Sequence, residues 1–102
     1  MTLDEARSEL LSFPGSEEGA HHGHPDFRVG GKIFASLQPD KEVAVLRLPL
    51  EMAEGLAETP GRRLVSRFGG MGWLAVEVAG TEAREFSELA EIAWRIRKGS
   101  DD

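Results

Sequence analysis

His24-Pro25-Asp26-Phe27-Arg28-Val29-Gly30-Gly31-Lys32-Ile33-Phe34-Ala35-Ser36-Leu37 is the stretch whose reading decides the fold. Two runs rich in aromatic and β-branched residues flank a glycine pair, and two glycines supply the positive φ values that a two-residue primed hairpin turn requires. With Gly30-Gly31 as the turn, Val29 faces Lys32, Arg28 faces Ile33 and Phe27 faces Phe34. Directly opposed side chains share a face of the sheet. Phe27, Val29, Phe34 and Ser36 then lie on one face and Ile33, Ala35 and Leu37 on the other, so both faces are partly apolar.

Toward the N-terminus, Thr2-Leu3-Asp4-Glu5 has the form of a capping box, with Thr2 as N-cap and Glu5 three residues on. Leu3, Ala6, Leu10 and Phe13 follow at helical spacing, and Pro14-Gly15 ends the helix. Ser16 to Gly23 is polar, with a short edge strand around Ala20 to His22. Beyond the hairpin, Gln38 to Lys41 reads as a turn and Val43 to Leu48 as a strand. Leu50 to Glu58 forms a short helix entered at Pro49. Leu64 to Phe68 is a brief strand, Gly69 to Gly72 a flexible connection, and Trp73 to Val78 an alternating strand.

Thr81 is placed as the N-cap of a last, long helix with Phe86, Leu89, Ala90, Ala93 and Ile96 inward. Arg95, Arg97 and Lys98 suit the negative end of its dipole, and Gly99 with the Ser-Asp-Asp tail is expected to fray. The order gives an α+β fold: an antiparallel sheet with N- and C-terminal helices packed on one face and a short inserted helix. The best inner face is Ile33, Ala35 and Leu37, with Ala44, Leu46, Leu48, Leu74, Val76 and Val78. The outer face would show Phe27, Val29, Phe34, Val43, Val45 and Trp73, unless the sheet curls or the Gly69 to Gly72 segment covers them.

A chain of 102 residues, 40% hydrophobic and 29% charged, is read as one domain, residues 1–102, with one modest core. The absence of cysteine excludes disulfides and thiolate metal sites. No apolar run nears the roughly 18 residues that span a bilayer. The acidic start does not resemble a signal peptide, so a cytoplasmic protein with no membrane partner is expected. The net charge of −6 is uneven. Residues 1–27 hold one Arg against six acids, residues 28–67 seven Lys or Arg against five, and residues 68–102 four against seven. Only the middle third favours a phosphate-bearing partner.

His24-Pro25-x-Phe27-Arg28-Val29-x-Gly31-Lys32-Ile33-Phe34-Ala35 follows a helix ending in Phe13-Pro14-Gly15. It precedes Val45-Leu46-Arg47-Leu48 and then Gly72-Trp73-Leu74-Ala75-Val76. This ordered set, spanning nearly the whole chain, resembles the MmcQ/YjbR family. The resemblance implies a compact α+β fold similar to type III secretion chaperones and frataxin. It also implies a "double wing" DNA-binding role, and no established enzyme activity.

On that role the wings are the Phe27 to Leu37 hairpin and the Leu64 to Val78 region, with Arg28, Lys32, Arg62, Arg63 and Arg67 as salt-sensitive phosphate contacts. The pI near 5 and the acidic flanks oppose it. The alternative is a protein-interaction or homodimerisation module anchored by Phe27, Phe34 and Trp73. Glu17, Glu18, His21, His22, His24 and Asp26 are dense enough to suggest metal. His21 and His22 diverge if extended, however, and no distant ligand joins them, so no metal or other cofactor is expected. Asp4, Glu5 and Glu9 would serve frataxin-like iron binding, but the helix N-terminus already explains Asp4 and Glu5. No nucleophile has a partner base, and Gly69, Gly70 and Gly72 lack the Lys-Ser/Thr of a phosphate loop. A non-enzymatic binding module is the expectation.

Overall fold

Gly30 and Gly31 turn the chain with φ of +61° and +79°, a conformation that a Cβ resists. In the computed structural model, which describes residues 1–99, they join β2 (His24–Val29) to β3 (Lys32–Gln38). His22-Gly23 does the same between β1 (Ser16–His21) and β2, as does Gly69-Gly70 between β5 (Arg62–Phe68) and β6 (Met71–Glu77). All four of those residues have positive φ. The remaining elements are α1 (Leu3–Ser12), β4 (Val43–Pro49), α2 (Leu50–Leu56) and α3 (Ala83–Gly99). The sheet runs β1-β2-β3-β4-β6-β5, antiparallel throughout.

The β2–β3 register opens as the glycine pair dictates, with Val29 opposite Lys32 and Arg28 opposite Ile33. A bulge then sets Phe27 opposite Ala35 rather than Phe34. One extra residue resets the side-chain alternation, so Phe34 and Ala35 both turn inward, Leu37 follows, and Ile33 is left on the other face. This corrects the expected faces. Phe27 and Phe34 have no exposed surface and Val29 is buried with them. The bulge thus moves every large apolar side chain of the hairpin except Ile33 into one core, with Ala44, Leu46, Leu48, Leu74, Val76 and Val78.

All three helices cover that inner face. The capping box of α1 is complete: Thr2 Oγ1 accepts from the Glu5 amide at 3.1 Å, and Glu5 Oε1 accepts from the Thr2 amide at 2.8 Å. Hydrogen bonding from Thr2, its backbone amide first and its side chain second, holds the Glu5 carboxyl below its ordinary value. Ala6 and Leu10 of α1 and Phe86, Leu89, Ala90 and Ala93 of α3 are buried. Phe13 stacks on Trp94 at 5.5 Å and meets the Phe34 ring edge-on at 6.4 Å. Over β6, α2 packs so closely that a Cβ at Gly72 would stand 2.9 Å from the Ala53 Cβ.

Four local expectations are revised. The edge strand β1 begins at Ser16, earlier than expected. Gly69 and Gly70 make a tight turn rather than a flexible connection, with Met71 and Gly72 already in β6. Thr81 does not cap α3: its hydroxyl donates to the Glu77 carbonyl at 2.8 Å, and the helix opens with the Phe86 amide donating to the Glu82 carbonyl. Gly99 closes α3, and the Ser-Asp-Asp tail lies outside the described residues.

Candidate binding face

The helix-free face of the sheet is concave. Residues from all six strands, both edges included, line one open hollow of about 780 Å3. Ile33, Val45, Val65 and Trp73 give it apolar surface, while His21, His22, His24, Asp26, Arg28, Lys32 and Arg97 give it charge and polarity.

Its most constructed feature is an ion pair. Asp26 and Arg28, two apart on β2, share this face because strand side chains alternate. Asp26 has no exposed surface, and Arg28 meets it with a two-pronged fork: Nε donates to Oδ1 at 2.9 Å and Nη2 to Oδ2 at 3.1 Å. Such forks fix orientation as well as charge. The hydrogen bonds first, and the carboxylate charge second, hold Arg28 protonated above its ordinary range. β1 makes room for the pair: Gly19 lies opposite Asp26, and a Cβ there would sit 2.9 Å from Asp26 Oδ1 and 3.3 Å from Arg28 Nε.

Lys32 and Arg97 also line the hollow, although Lys32 stands opposite the buried Val29 and so by register on the helix side of the sheet. β3 pairs with β4 only from Ala35 to Gln38, leaving Lys32 to Phe34 without a β4 partner. Arg97 lies in the last turns of α3, and its Nε is buried with no hydrogen-bond partner among the described residues.

The five expected phosphate contacts are not brought together. Arg28 and Lys32 line the hollow, and Arg63, opposite Ala75, is on the same side. Arg62 and Arg67 stand opposite the inner-face residues Val76 and Gly72. The bulge between Leu64 and Ser66 leaves both on the helix side. There Arg62 pairs with Glu85 of α3 and Arg67 with Glu54 of α2, the latter at 3.0 Å. Of the three expected aromatic anchors, Phe27 and Phe34 are core residues, so they are no surface contacts, and only Trp73 reaches the hollow.

The acidic and histidine cluster is dispersed. Glu18 turns to Arg7 of α1 at 2.7 Å, and Asp26 is engaged by Arg28. His21 and His22 do not diverge, since the positive φ of His22 brings the two rings within 4.2 Å. Among the described residues no three of His, Asp and Glu converge as a metal ion would need. Glu5 is committed to the capping box, and Glu9 accepts from the Ser87 hydroxyl at 2.8 Å.

Sequence reasoning missed Asp26 as the partner of Arg28, although acid and base two apart on a strand is a readable signal. It also missed Arg97, whose helical context gives no hint of the sheet. Two exposed apolar side chains on β5, Phe68 at 84% and Val65 at 46%, are a further feature that sequence reasoning did not single out.

A profile of the YjbR family matches residues 11–96. The chain belongs to the YjbR family. No curated protein matches it. Among solved structures, the Deinococcus radiodurans protein DR2400, described as a DUF419 domain, superposes with a TM-score of 0.81 at 20% identity, over 99% of this chain and 83% of that one. A Pseudomonas syringae protein superposes with a TM-score of 0.77 at 16% identity, over 95% of this chain and 99% of that one. At these identities the likeness is one of fold, so any YjbR-family function has to be argued from the residues on the concave face. No helix among the described residues is long and apolar enough to cross a membrane.

Proposed function

We propose that this YjbR-family chain is a non-enzymatic binding module that takes DNA on the helix-free face of its sheet, weakly and without sequence preference. The observation behind this reading is charge placement: in a chain of net charge −6, Arg28, Lys32 and Arg97 line one hollow whose single carboxylate, Asp26, takes up one of those three charges. The hairpin tips at Gly30-Gly31 and Gly69-Gly70 lie at the same end of the sheet, flanking the end of β4, and suit two wings. Arg28, Lys32 and Arg97 are the phosphate contacts, with Arg63 further along the face. Contacts of this kind position a polyanion without reading its bases.

Fluorescence anisotropy with labelled DNA tests the reading. Three phosphate contacts imply a slope of log K against log salt of about −2.7 on duplex or about −2.1 on a single strand. No binding at low salt would overturn it. A second reading, protein contact, is favoured by Phe68 and Val65 on β5, an edge strand with one side unpaired. That contact would be insensitive to salt and abolished in Phe68→Ser.

A further inference from the structure

We infer that the DNA taken by the hollow is a single strand, one phosphate held between Arg28 and Arg97 and one base stacked on Trp73; this rests on the DNA-binding reading above. The cations are held in place. Arg28 keeps 38% of its side-chain surface but is locked by Asp26 in one orientation, and Arg97 has a buried Nε. A duplex is stiff and carries its phosphates on a convex exterior, so it would meet the rim of a concave face rather than its floor. A hollow of about 780 Å3 is on the scale that encloses a small organic ligand, which is the scale of a nucleotide rather than of a helical turn.

Trp73 decides between the two forms of the polyanion. It lines the hollow with Val45, Val65 and Ser66, and stands opposite Ser66 of β5 and Arg47 of β4. The bases of a duplex are stacked on one another and offer it no face, whereas a single strand offers every base in turn. Aromatic stacking combined with a cationic track is the general means of holding a strand without choosing its sequence. The apolar and cationic surfaces are therefore complementary to the two chemically different halves of one nucleotide.

The test uses the full chain carrying Trp94→Phe, so that Trp73 is its one tryptophan, with a short labelled oligothymidylate and a duplex of the same length at the same low salt. The strand is expected to quench Trp73 and to bind about tenfold or more tighter than the duplex. Adding Trp73→Leu should remove that preference. Arg28→Gln leaves Asp26 buried without its partner and risks unfolding, so Lys32→Gln and Arg97→Gln test the charges, each lowering strand affinity. A duplex bound as well as the strand, or strand binding indifferent to Trp73→Leu, overturns the single-strand inference while DNA binding stands. Failure of both nucleic acids to bind at low salt overturns the DNA reading itself.

Discussion

A carboxylate with no exposed surface on a sheet face that no helix covers is costly unless its charge is answered, and Arg28 answers Asp26 with both prongs of its guanidinium. Gly19 is the silent third member, because the fork occupies the space a side chain would take. In Gly19→Ala the new Cβ must push Asp26 Oδ1 aside, and the fork shifts with it. The expected result is a folded protein whose strand affinity drops about tenfold, as when one charge-assisted hydrogen bond is removed, read by anisotropy beside a thermal melt showing that the fold persists. The two phenylalanines make the opposite kind of case. Phe34 touches Phe13 and has no exposed surface, so Phe34→Ala should cost about 3–5 kcal/mol in a urea titration. Phe68→Ser, at a residue 84% exposed, should change stability by no more than about 0.5 kcal/mol. Were Phe34 a surface anchor, the two values would be alike.

Elements defined by their own local chemistry were legible in the sequence. The Thr2–Glu5 capping box and the Gly30-Gly31 hairpin depend on nothing beyond a few neighbouring residues, and both form as the sequence predicts. What depends on a distant partner was not legible. β1 lacks apolar alternation because it is an edge strand whose inward Glu18 is satisfied by Arg7 from α1, so its polar sequence has the character of a loop. The bulge at Phe34 leaves no composition signal of its own. Its one symptom is a hairpin apolar on both faces, and a single inserted residue resolves that contradiction. Thr81 has the right residue type for a cap but turns its hydroxyl back to Glu77. The capping box also makes a pH prediction. The Glu5 carboxyl titrates below its ordinary value of 4.5 in the folded chain, so its contribution is present above that value and is lost as pH falls through the lower, folded one. The protection of the first-turn amides of α1, taken as their exchange rate relative to the unfolded chain at the same pH, should therefore fall on acidification below about pH 4.5 in the wild type, and be low and nearly independent of pH in Glu5→Ala.

On the scale of the whole molecule, the two faces of the sheet hold their charges differently. On the helix side, cations and acids are matched across elements: Arg7 with Glu18, Arg62 with Glu85, Arg67 with Glu54. On the helix-free side the hollow is lined by Lys32 and Arg97 and by a single carboxylate, Asp26, that Arg28 holds, while Glu17, opposite Arg28, and Glu77, opposite Val43, stand on the same face outside it. Because the two faces are opposite sides of one sheet, a ligand seated on one does not touch the other, and a salt titration separates them. Removing one phosphate-binding cation lowers the magnitude of the log K against log salt slope on a single strand by about 0.7. Lys32→Gln and Arg97→Gln should each take the slope from about −2.1 to about −1.4. Arg62→Gln and Arg67→Gln should leave slope and affinity as they were, although each changes net charge by the same single unit. Equal reductions from all four would mean that the polyanion responds to total charge and not to the hollow, and the concave face would then be no binding site at all.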